Sequence, residues 1–250
     1  MVTKAQIQRV RSLSDRRGRD AEGLFVAEGE KIIRELAASH LHVERIYALE
    51  GVMTDVEGVV RVSPKEMERM SMLNTANNSL AVVAIPRYRF DLASAHDNLV
   101  LALDDVGNPG NVGTLIRLAD WFGIRDVVCS PATADCFNPK VVQATMGAVI
   151  RVRVHCLDLP TLLAEAGREG IPVYGTFLDG ENIYDAQLSA SGIVVMGNEG
   201  RGISEETARS VDRRLFIPPY PAEGCGSESL NVSTAAAIVC SEFRRRAGAN

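Results

Sequence analysis

One segment of the sequence combines the residue types that a ligand-binding loop needs. Residues 104–123 read DDVGNPGNVGTLIRLADWFG and follow an apolar run, LVLAL, at residues 99–103. Glycine lets the backbone turn tightly and approach a ligand, and glycines recur here at every third position from Gly107 to Gly113. Asn111 is predicted as the N-cap of a helix whose start offers unpaired N–H groups and a positive dipole end. The segment therefore predicts a buried strand, a tight loop and a helix opening at a ligand site.

Arg117 is the residue of that helix whose side chain is best suited to bind or activate a ligand. On a helical wheel it lies beside Gly113 and Thr114, on the face opposite the apolar stripe. It therefore projects over a patch that Gly113 leaves clear, near the carboxyl end of a strand, where ligands of α/β sheets usually bind. An ordinary amphipathic helix with a solvated arginine has the same pattern. The helix alone does not distinguish the two interpretations.

Further motifs favour the functional interpretation. The spacing Asn111-x-Gly113-x-x-x-Arg117 resembles the first motif of the SpoU (TrmH-like) branch of the SPOUT RNA methyltransferases. VVMGNEGRGI at residues 194–203 resembles its second motif, and IP at 217–218 with ESLNVSTAAAI at 228–238 resembles its third. The block from Asn138-Pro139-Lys140 to residue 148 also resembles this family. Each pattern alone is weak, but four in the family's order, over roughly residues 97–245, are specific.

Other ligand motifs are not matched. The glycines run G-x-x-G-x-x-G, which is not the dinucleotide fingerprint G-x-G-x-x-G. The sequence has no P-loop pattern and no G-x-S-x-G, and its four histidines show no metal-ligand spacing. We therefore expect no metal.

The resemblance implies methyl transfer from S-adenosylmethionine (SAM) to a ribose 2′-hydroxyl of RNA, with Arg117 central to activating that hydroxyl. A guanidinium is effectively always protonated, so we favour stabilisation of the developing alkoxide, or a grip on the adjacent phosphate, over general-base catalysis. The resemblance adds a polar wall around Arg117, which could instead consist of helix caps and turn residues. Its members are Asn111, Glu199, Ser229 and Asn231.

The resemblance also implies a fold and a cofactor site: an α/β domain with a SPOUT-type parallel sheet and a C-terminal trefoil knot that holds SAM. Without the resemblance, Ile217 and Leu230 would be core residues and Gly197 a turn. The segment at residues 219–227 is longer than the corresponding part of the family's third motif. A flap over the cofactor is one role for this segment. The predicted cofactor-binding residues are Thr176, Gly197, Ile217 and Leu230.

Composition gives mixed indications about the partner. The formal net charge is −5 and the pI is about 5.5, whereas nucleic-acid-binding domains are usually basic. The first 34 residues are locally basic, and a local patch can supply phosphate contacts on an acidic protein. A merely solvated basic face is the alternative. The predicted RNA-contacting residues are Arg16, Arg17, Arg19 and Lys140.

The elements that must position these residues alternate between strand and helix along the chain. They predict a small α/β domain over residues 1–92, which resembles the L30e-like domain of some SpoU members, and a methyltransferase domain over residues 97–250. The polar stretch 87–98 is the predicted linker. A helix is predicted over residues 140–150, and the final helix is predicted from Ser229 to Arg246.

Several expectations concern partners and location. The sequence has no run of about 18 apolar residues and no signal-peptide pattern, and its five scattered cysteines suit a reduced cytoplasmic protein. Trp121, on the polar face of the helix, indicates a surface covered by RNA or by a second subunit, and the resemblance to SpoU enzymes implies a homodimer. The main prediction is a SAM-dependent 2′-O-methyltransferase of structured tRNA or rRNA. A non-catalytic RNA-binding or ribosome-assembly factor on the same fold is the rival, and a base methyltransferase is a third possibility.

Overall fold

The computed structural model describes residues 2–220 and 229–248. Its elements form two compact units: residues 1–87 with 135–150, and residues 88–134 with 151–250. The first half of the chain forms these elements: α1 (Lys4–Ser12), α2 (Arg16–Glu22), β1 (Leu24–Glu28), α3 (Glu30–Ala37), β2 (Val43–Ala48), β3 (Val59–Arg61), α4 (Pro64–Met70), β4 (Ser79–Ala84), β5 (Leu99–Leu103) and α5 (Pro109–Trp121). The second half forms these: β6 (Asp126–Cys129), α6 (Pro139–Ala144), β7 (Arg153–Cys156), α7 (Leu159–Arg168), β8 (Val173–Asn182), β9 (Gly192–Met196), α8 (Glu205–Ala208), β10 (Arg213–Phe216) and α9 (Val232–Ala247).

The first unit is built on a four-stranded mixed sheet with strand order β1-β4-β2-β3. β4 is antiparallel to both β1 and β2, whereas β3 is parallel to β2. Capping boxes begin two of its helices, at Thr3 with Gln6 and at Ser63 with Glu66. One apolar cluster lies under α1 and α4, and a second joins α3 to residues of the 135–150 segment. These elements agree with the alternation predicted from the sequence.

The second unit is built on a six-stranded sheet with order β10-β8-β9-β5-β6-β7. All of its pairings are parallel. Its inner strands β5 and β9 are buried at every position, as their continuous apolar sequences predict for a sheet covered on both faces. The predicted α/β class with a parallel sheet is therefore confirmed. The trefoil knot stays a prediction, as do the domain boundaries 1–92 and 97–250, since compact units need not coincide with domains.

Three local predictions are wrong in instructive ways. The motif-one helix begins earlier than predicted, because Asn108 is its N-cap and Pro109 takes the first helical position. Asn111 therefore lies inside the first turn and is not the cap. The final helix begins at Val232 with Asn231 as N-cap, so Ser229 precedes it. The helix predicted over residues 140–150 ends at Ala144, because Met146 and Gly147 adopt positive φ angles of 51° and 95°.

Candidate active site

The candidate site lies at the carboxyl ends of the neighbouring parallel strands β5 and β9. The loop after β5 and the loop after β9 are joined directly: the Asn198 side-chain amide donates to the Asp105 carbonyl (2.7 Å), and the Ser204 N–H donates to the buried Asp104 carboxylate (2.7 Å). Gly197 packs so tightly in this region that a Cβ added to it would lie 2.3 Å from the Gly202 carbonyl carbon. The two loops therefore form one rigid platform, and Gly197 is a turn that admits no side chain.

Three of the predicted catalytic residues form a hydrogen-bonded group, here named the amide–carboxylate cluster: Asn111, Glu199 and Asn231. The Asn111 amide donates to Glu199 Oε1 (2.8 Å), and the Asn231 amide donates to Asn111 Oδ1 (3.2 Å). Glu199 also accepts the backbone N–H groups of Gly107 and Asn108, at 3.2 Å each. Asn111 thus bridges the second-motif loop to the start of α9. This bridging is possible because Asn108, and not Asn111, caps α5.

The hydrogen bonds of the cluster control the charge of its carboxylate. Partial burial acts to raise the pKa of Glu199, but hydrogen bonds from the Asn111 amide and from the N–H groups of Gly107 and Asn108 outweigh it. The net effect is a lowered pKa. Glu199 is therefore ionised at neutral pH, with its oxygens engaged by donors from the start of α5.

Arg117 lies apart from this cluster. It is exposed, on the same face of α5 as Thr114 and Trp121, while Gly113 beneath it is buried. Among the described residues, no side chain or carbonyl makes a hydrogen bond or ion pair with Arg117. The Trp121 side chain is 82% exposed, as the predicted polar-face position requires. The structure therefore joins Asn111, Glu199 and Asn231, and leaves the Arg117 guanidinium available to a ligand.

The predicted cofactor residues also belong to the second unit. Thr176 follows the part of β8 that pairs with β9, and its hydroxyl donates to the Val195 carbonyl (3.3 Å). Ile217 directly follows β10 and is half-buried. Leu230 precedes Asn231 and exposes 48% of its surface. Leu230 therefore presents an apolar surface directly beside Asn231 of the amide–carboxylate cluster.

The remaining predicted catalytic residue, Ser229, is exposed and precedes the α9 cap by two residues. The structure gives it no place in the cluster. Most of the segment predicted as a flap, residues 221–227 of 219–227, lies outside the described residues. Pro219 and Tyr220 are described, and Tyr220 is 96% exposed.

Several residues of the site were not predicted from the sequence. Asn198 holds the second-motif loop, and Ser233 donates to the Asn111 carbonyl (3.4 Å). Ser130 donates to the Asp105 carboxylate (2.7 Å). The pair Asn108-Pro109 carried a usable signal, because a capping residue before proline is typical of a helix start. The serines carried none, since their partners are distant in sequence.

The predicted RNA-contacting residues belong to the first unit. Arg16 and Arg17 are exposed on α2, and Lys140 is exposed in the first turn of α6, behind the Asn138 cap and Pro139. Arg19 is only 1% exposed. Its guanidinium donates to Asp135 Oδ2 (2.9 Å from Nε) and to the Leu13 carbonyl (2.8 Å). The prediction for Arg19 is therefore wrong, because its charge is neutralised inside the unit and does not reach the surface.

The described residues contain no cluster of three or more histidine, cysteine or acidic side chains arranged to bind a metal ion. None of the described helices has the length and hydropathy needed to cross a bilayer.

Comparison with protein families gives two matches that together span most of the chain. Residues 98–241 match the SpoU rRNA Methylase family. Residues 4–81 match the MRM3-like substrate binding domain. The first match covers all four motifs on which the sequence resemblance rests.

Named relatives agree with these matches. The chain is 31% identical to the 23S rRNA (guanosine(2553)-2'-O)-methyltransferase RlmP of Bacillus subtilis (strain 168), over 97% of this chain and 98% of that protein. It is 34% identical to the 23S rRNA (guanosine-2'-O-)-methyltransferase RlmB of Neisseria meningitidis serogroup B, over 59% of this chain and 58% of that protein.

Solved structures show the same architecture. A putative RNA methyltransferase of the TrmH family from Porphyromonas gingivalis superposes with a TM-score of 0.88 at 41% identity, covering 98% of this chain and 99% of that one. An AdoMet-bound rRNA methyltransferase from Sinorhizobium meliloti superposes with a TM-score of 0.84 at 25% identity, covering 98% and 96%. The resemblance seen in the motifs is thus confirmed, and the chain belongs to the SpoU rRNA methylase family.

Proposed function

We propose that this protein transfers the methyl group of SAM to the ribose 2′-oxygen of a guanosine in large-subunit ribosomal RNA. The observation that carries the proposal is the amide–carboxylate cluster, in which Asn111, Glu199 and Asn231 from the three motifs are hydrogen-bonded together at the start of the helix that presents Arg117. The choice of a ribosomal guanosine rests on the end-to-end match to a 23S rRNA guanosine 2′-O-methyltransferase. This function belongs in the cytoplasm.

Arg117 carries the chemistry of activation. SAM supplies an electrophilic methyl group, and the acceptor hydroxyl is a poor nucleophile until negative charge can develop on its oxygen. A permanently charged guanidinium stabilises that alkoxide, or fixes the neighbouring phosphate by a two-pronged hydrogen bond. Because Arg117 makes no hydrogen bond or ion pair with the described residues, its donors are available for this task. The hydroxyl proton can then pass to water.

Glu199 is a positioning residue in this mechanism. Its pKa is lowered, and its two oxygens accept three donors from the start of α5. A carboxylate held in this way is a weak proton acceptor. Its role is to hold the first turn of α5 and the Asn111 amide in register with the second-motif loop. Asn231 completes that register from the start of α9.

The residues proposed to hold SAM are Thr176, Gly197, Ile217 and Leu230. The Gly197 turn offers backbone groups, and the half-exposed Leu230 offers an apolar surface for the adenine ring. Ser229 is proposed to contact the substrate from the same segment. The trefoil knot and a homodimer complete the proposal. The dimer is supported by Trp121, whose 82% exposure on the Arg117 face suits a covered surface.

The test is transfer of tritium from labelled SAM to undermethylated ribosomal RNA and, separately, to transfer RNA. Wild type should label ribosomal RNA at a 2′-O-methylguanosine, and Arg117→Ala should abolish the label. Arg125→Ala removes an exposed arginine at the amino end of β6 and is the matched control, with near wild-type transfer expected. Label in transfer RNA alone would overturn the ribosomal assignment, and label on a base would overturn the ribose assignment.

A further inference from the structure

We infer that Arg201 is a second substrate-binding arginine of this site, and that it contacts an RNA phosphate. The inference rests on the proposed function and extends it to a residue that sequence motifs did not single out. Arg201 follows Glu199 by two positions in the loop after β9. Its side chain is 77% exposed. It therefore places a cation at the edge of the sheet where the amide–carboxylate cluster lies.

The loop fixes the backbone of Arg201 while leaving its side chain exposed. Asn198 Oδ1 accepts the N–H of Gly200 (2.9 Å) and the N–H of Arg201 (3.1 Å). The backbones of Asn198 and Gly202 exchange two hydrogen bonds of 2.9 Å across the turn. The Asn198 amide anchors this turn to the Asp105 carbonyl. Such a turn presents one side chain from a rigid base, which lowers the entropy lost when a ligand binds.

Asp105 gives Arg201 a weak partner in the absence of a ligand. Arg201 Nη2 lies 3.6 Å from Asp105 Oδ2, which is longer than a charge-assisted hydrogen bond. Asp105 itself is fixed, since its N–H donates to Ser130 Oγ (2.9 Å) and its carboxylate accepts from the same hydroxyl (2.7 Å). It also has a positive φ of 56°, a conformation that carries strain in residues other than glycine. An exposed, long ion pair exchanges easily for a phosphate.

Charge balance favours phosphate over the methyl donor as the ligand of Arg201. Three carboxylates, those of Asp104, Asp105 and Glu199, gather in the two loops. An approaching polyanion is repelled by them unless cations intervene, and Arg201 stands directly beside one of them. SAM carries a sulfonium and an ammonium against one carboxylate, so its net charge is positive and it gains little from another cation.

Other arginines of the same unit show what a structural role looks like. Arg244 donates to the Phe122 carbonyl (2.7 Å), and Arg246 donates to Glu242 (2.7 Å) while also contacting carbonyls of residues 183–186. Arg151 makes hydrogen bonds of 2.8–3.1 Å with both oxygens of Asp120. Arg201 makes no side-chain hydrogen bond of this kind with the described residues.

The test measures binding of a ribosomal RNA fragment that the wild type methylates, as a function of salt, for wild type, Arg201→Ala, Arg201→Lys and Arg209→Ala. Arg209 is the matched control, because it is an exposed arginine of the same unit next to α8. We expect Arg201→Ala to weaken RNA binding about tenfold and to reduce the slope of log affinity against log salt by about 0.7–0.9. Lysine should restore the slope, since it keeps the charge. SAM affinity without RNA should not change.

A second variant is expected to change the RNA affinity in the opposite direction. Asp105→Asn keeps a residue type that tolerates positive φ and a carbonyl for Ser130, but removes one negative charge beside Arg201. RNA binding should tighten by about twofold to threefold, and by less in the double variant with Arg201→Ala, where only the direct repulsion between Asp105 and the RNA is relieved.

Two results would overturn the inference. One is Arg201→Ala matching Arg209→Ala in both RNA affinity and salt slope. The other is weakened SAM binding with unchanged RNA binding, which would assign Arg201 to the cofactor. Failure of the proposed function is separable from either, because it is a failure of wild type itself to bind or methylate this RNA.

Discussion

The first unit and the carboxyl edge of the second unit use arginine in opposite ways. In the first unit, several guanidiniums are bound to carboxylates or backbone carbonyls: those of Arg9, Arg11, Arg19, Arg34 and Arg61. At the edge of the parallel sheet, Arg117 has no described partner and Arg201 has a long one. The difference lies in whether an acceptor is within reach. An arginine with nearby acceptors holds the fold together, and one without them remains available for a ligand.

The largest expected effect concerns the amide–carboxylate cluster. It tests whether methyl transfer depends on the hydrogen bonds that Glu199 accepts. Glu199→Gln replaces a carboxylate that accepts three donors with an amide that can accept from only one of its two ends. We expect methyl transfer to fall about hundredfold, the size typical of lost support around a catalytic group. Turnover under saturating SAM and RNA is the measurement. Glu205→Gln, at an exposed position on α8, is the control. Turnover within threefold of wild type in Glu199→Gln would show that the cluster is only structural.

The next effect tests the structural use of arginine in the first unit. Arg19→Ala removes a buried guanidinium that joins α2 to Asp135 and the Leu13 carbonyl. It should lower the free energy of unfolding by about 3 kcal/mol, because a largely buried carboxylate and carbonyl lose their donors. Arg16→Ala, on the same helix but exposed, should change it by less than about 0.5 kcal/mol. Chemical denaturation measures both. Equal losses in the two variants would contradict the distinction.

Much of the fold could be predicted because its strongest signals are local. β5 and β9 are continuous apolar runs, and Ser63-Pro64 is a cap followed by a first-turn proline. α2 was not predicted, because RRGRDAE has no apolar stripe and its one buried side chain is an arginine. The early end of α6 depends on positive φ at Met146, a conformation that no propensity of methionine indicates.

The candidate site, like the fold, could be predicted only in part from the sequence. Motif spacing predicted the candidate site residues, and the structure joins three of them, Asn111, Glu199 and Asn231. The motif spacing drew attention to Asn111 as the cap, although the proline that follows Asn108 marked the observed helix start. The sequence could not show that Arg19 is buried, because the partner that neutralises it, Asp135, is more than a hundred residues away. Interactions across such separations depend on the whole fold.

A smaller effect concerns Glu242 and its two arginine partners near the end of α9. The ionised Glu242 carboxylate stabilises the folded protein there. Hydrogen bonds from Arg245 and, to a smaller extent, from Arg246 together lower the pKa of Glu242 to about 2, against the opposing effect of burial. A lowered folded-state pKa stabilises the protein above the ordinary value of 4.5 and loses that contribution as the pH falls towards 2.

Glu242→Gln should therefore lower the free energy of unfolding at pH 7 by about 1 kcal/mol and flatten its decline between pH 4.5 and pH 2. Denaturation curves across this pH range measure both quantities. Glu165→Gln, at an exposed position of α7, should leave the profile unchanged. A decline as steep in Glu242→Gln as in wild type would show that other acids cause it.

The smallest effect returns to α2, where both uses of arginine occur on one helix. Arg16 and Arg17 are exposed, and the ion pair of Arg16 with Asp20 is long at 3.7 Å, whereas Arg19 is buried. If the exposed pair contacts RNA, the double variant Arg16→Ala with Arg17→Ala should weaken RNA binding about threefold and reduce the salt slope, with no loss of stability. Lys65→Ala with Arg69→Ala removes two exposed charges from α4 and is the control. Equal weakening in both double variants would mean that RNA responds only to the net charge of the unit. Weakening confined to α2 would mean that exposed cations bind RNA only at particular positions of the unit, and that burial excludes Arg19, three residues from Arg16, from that role.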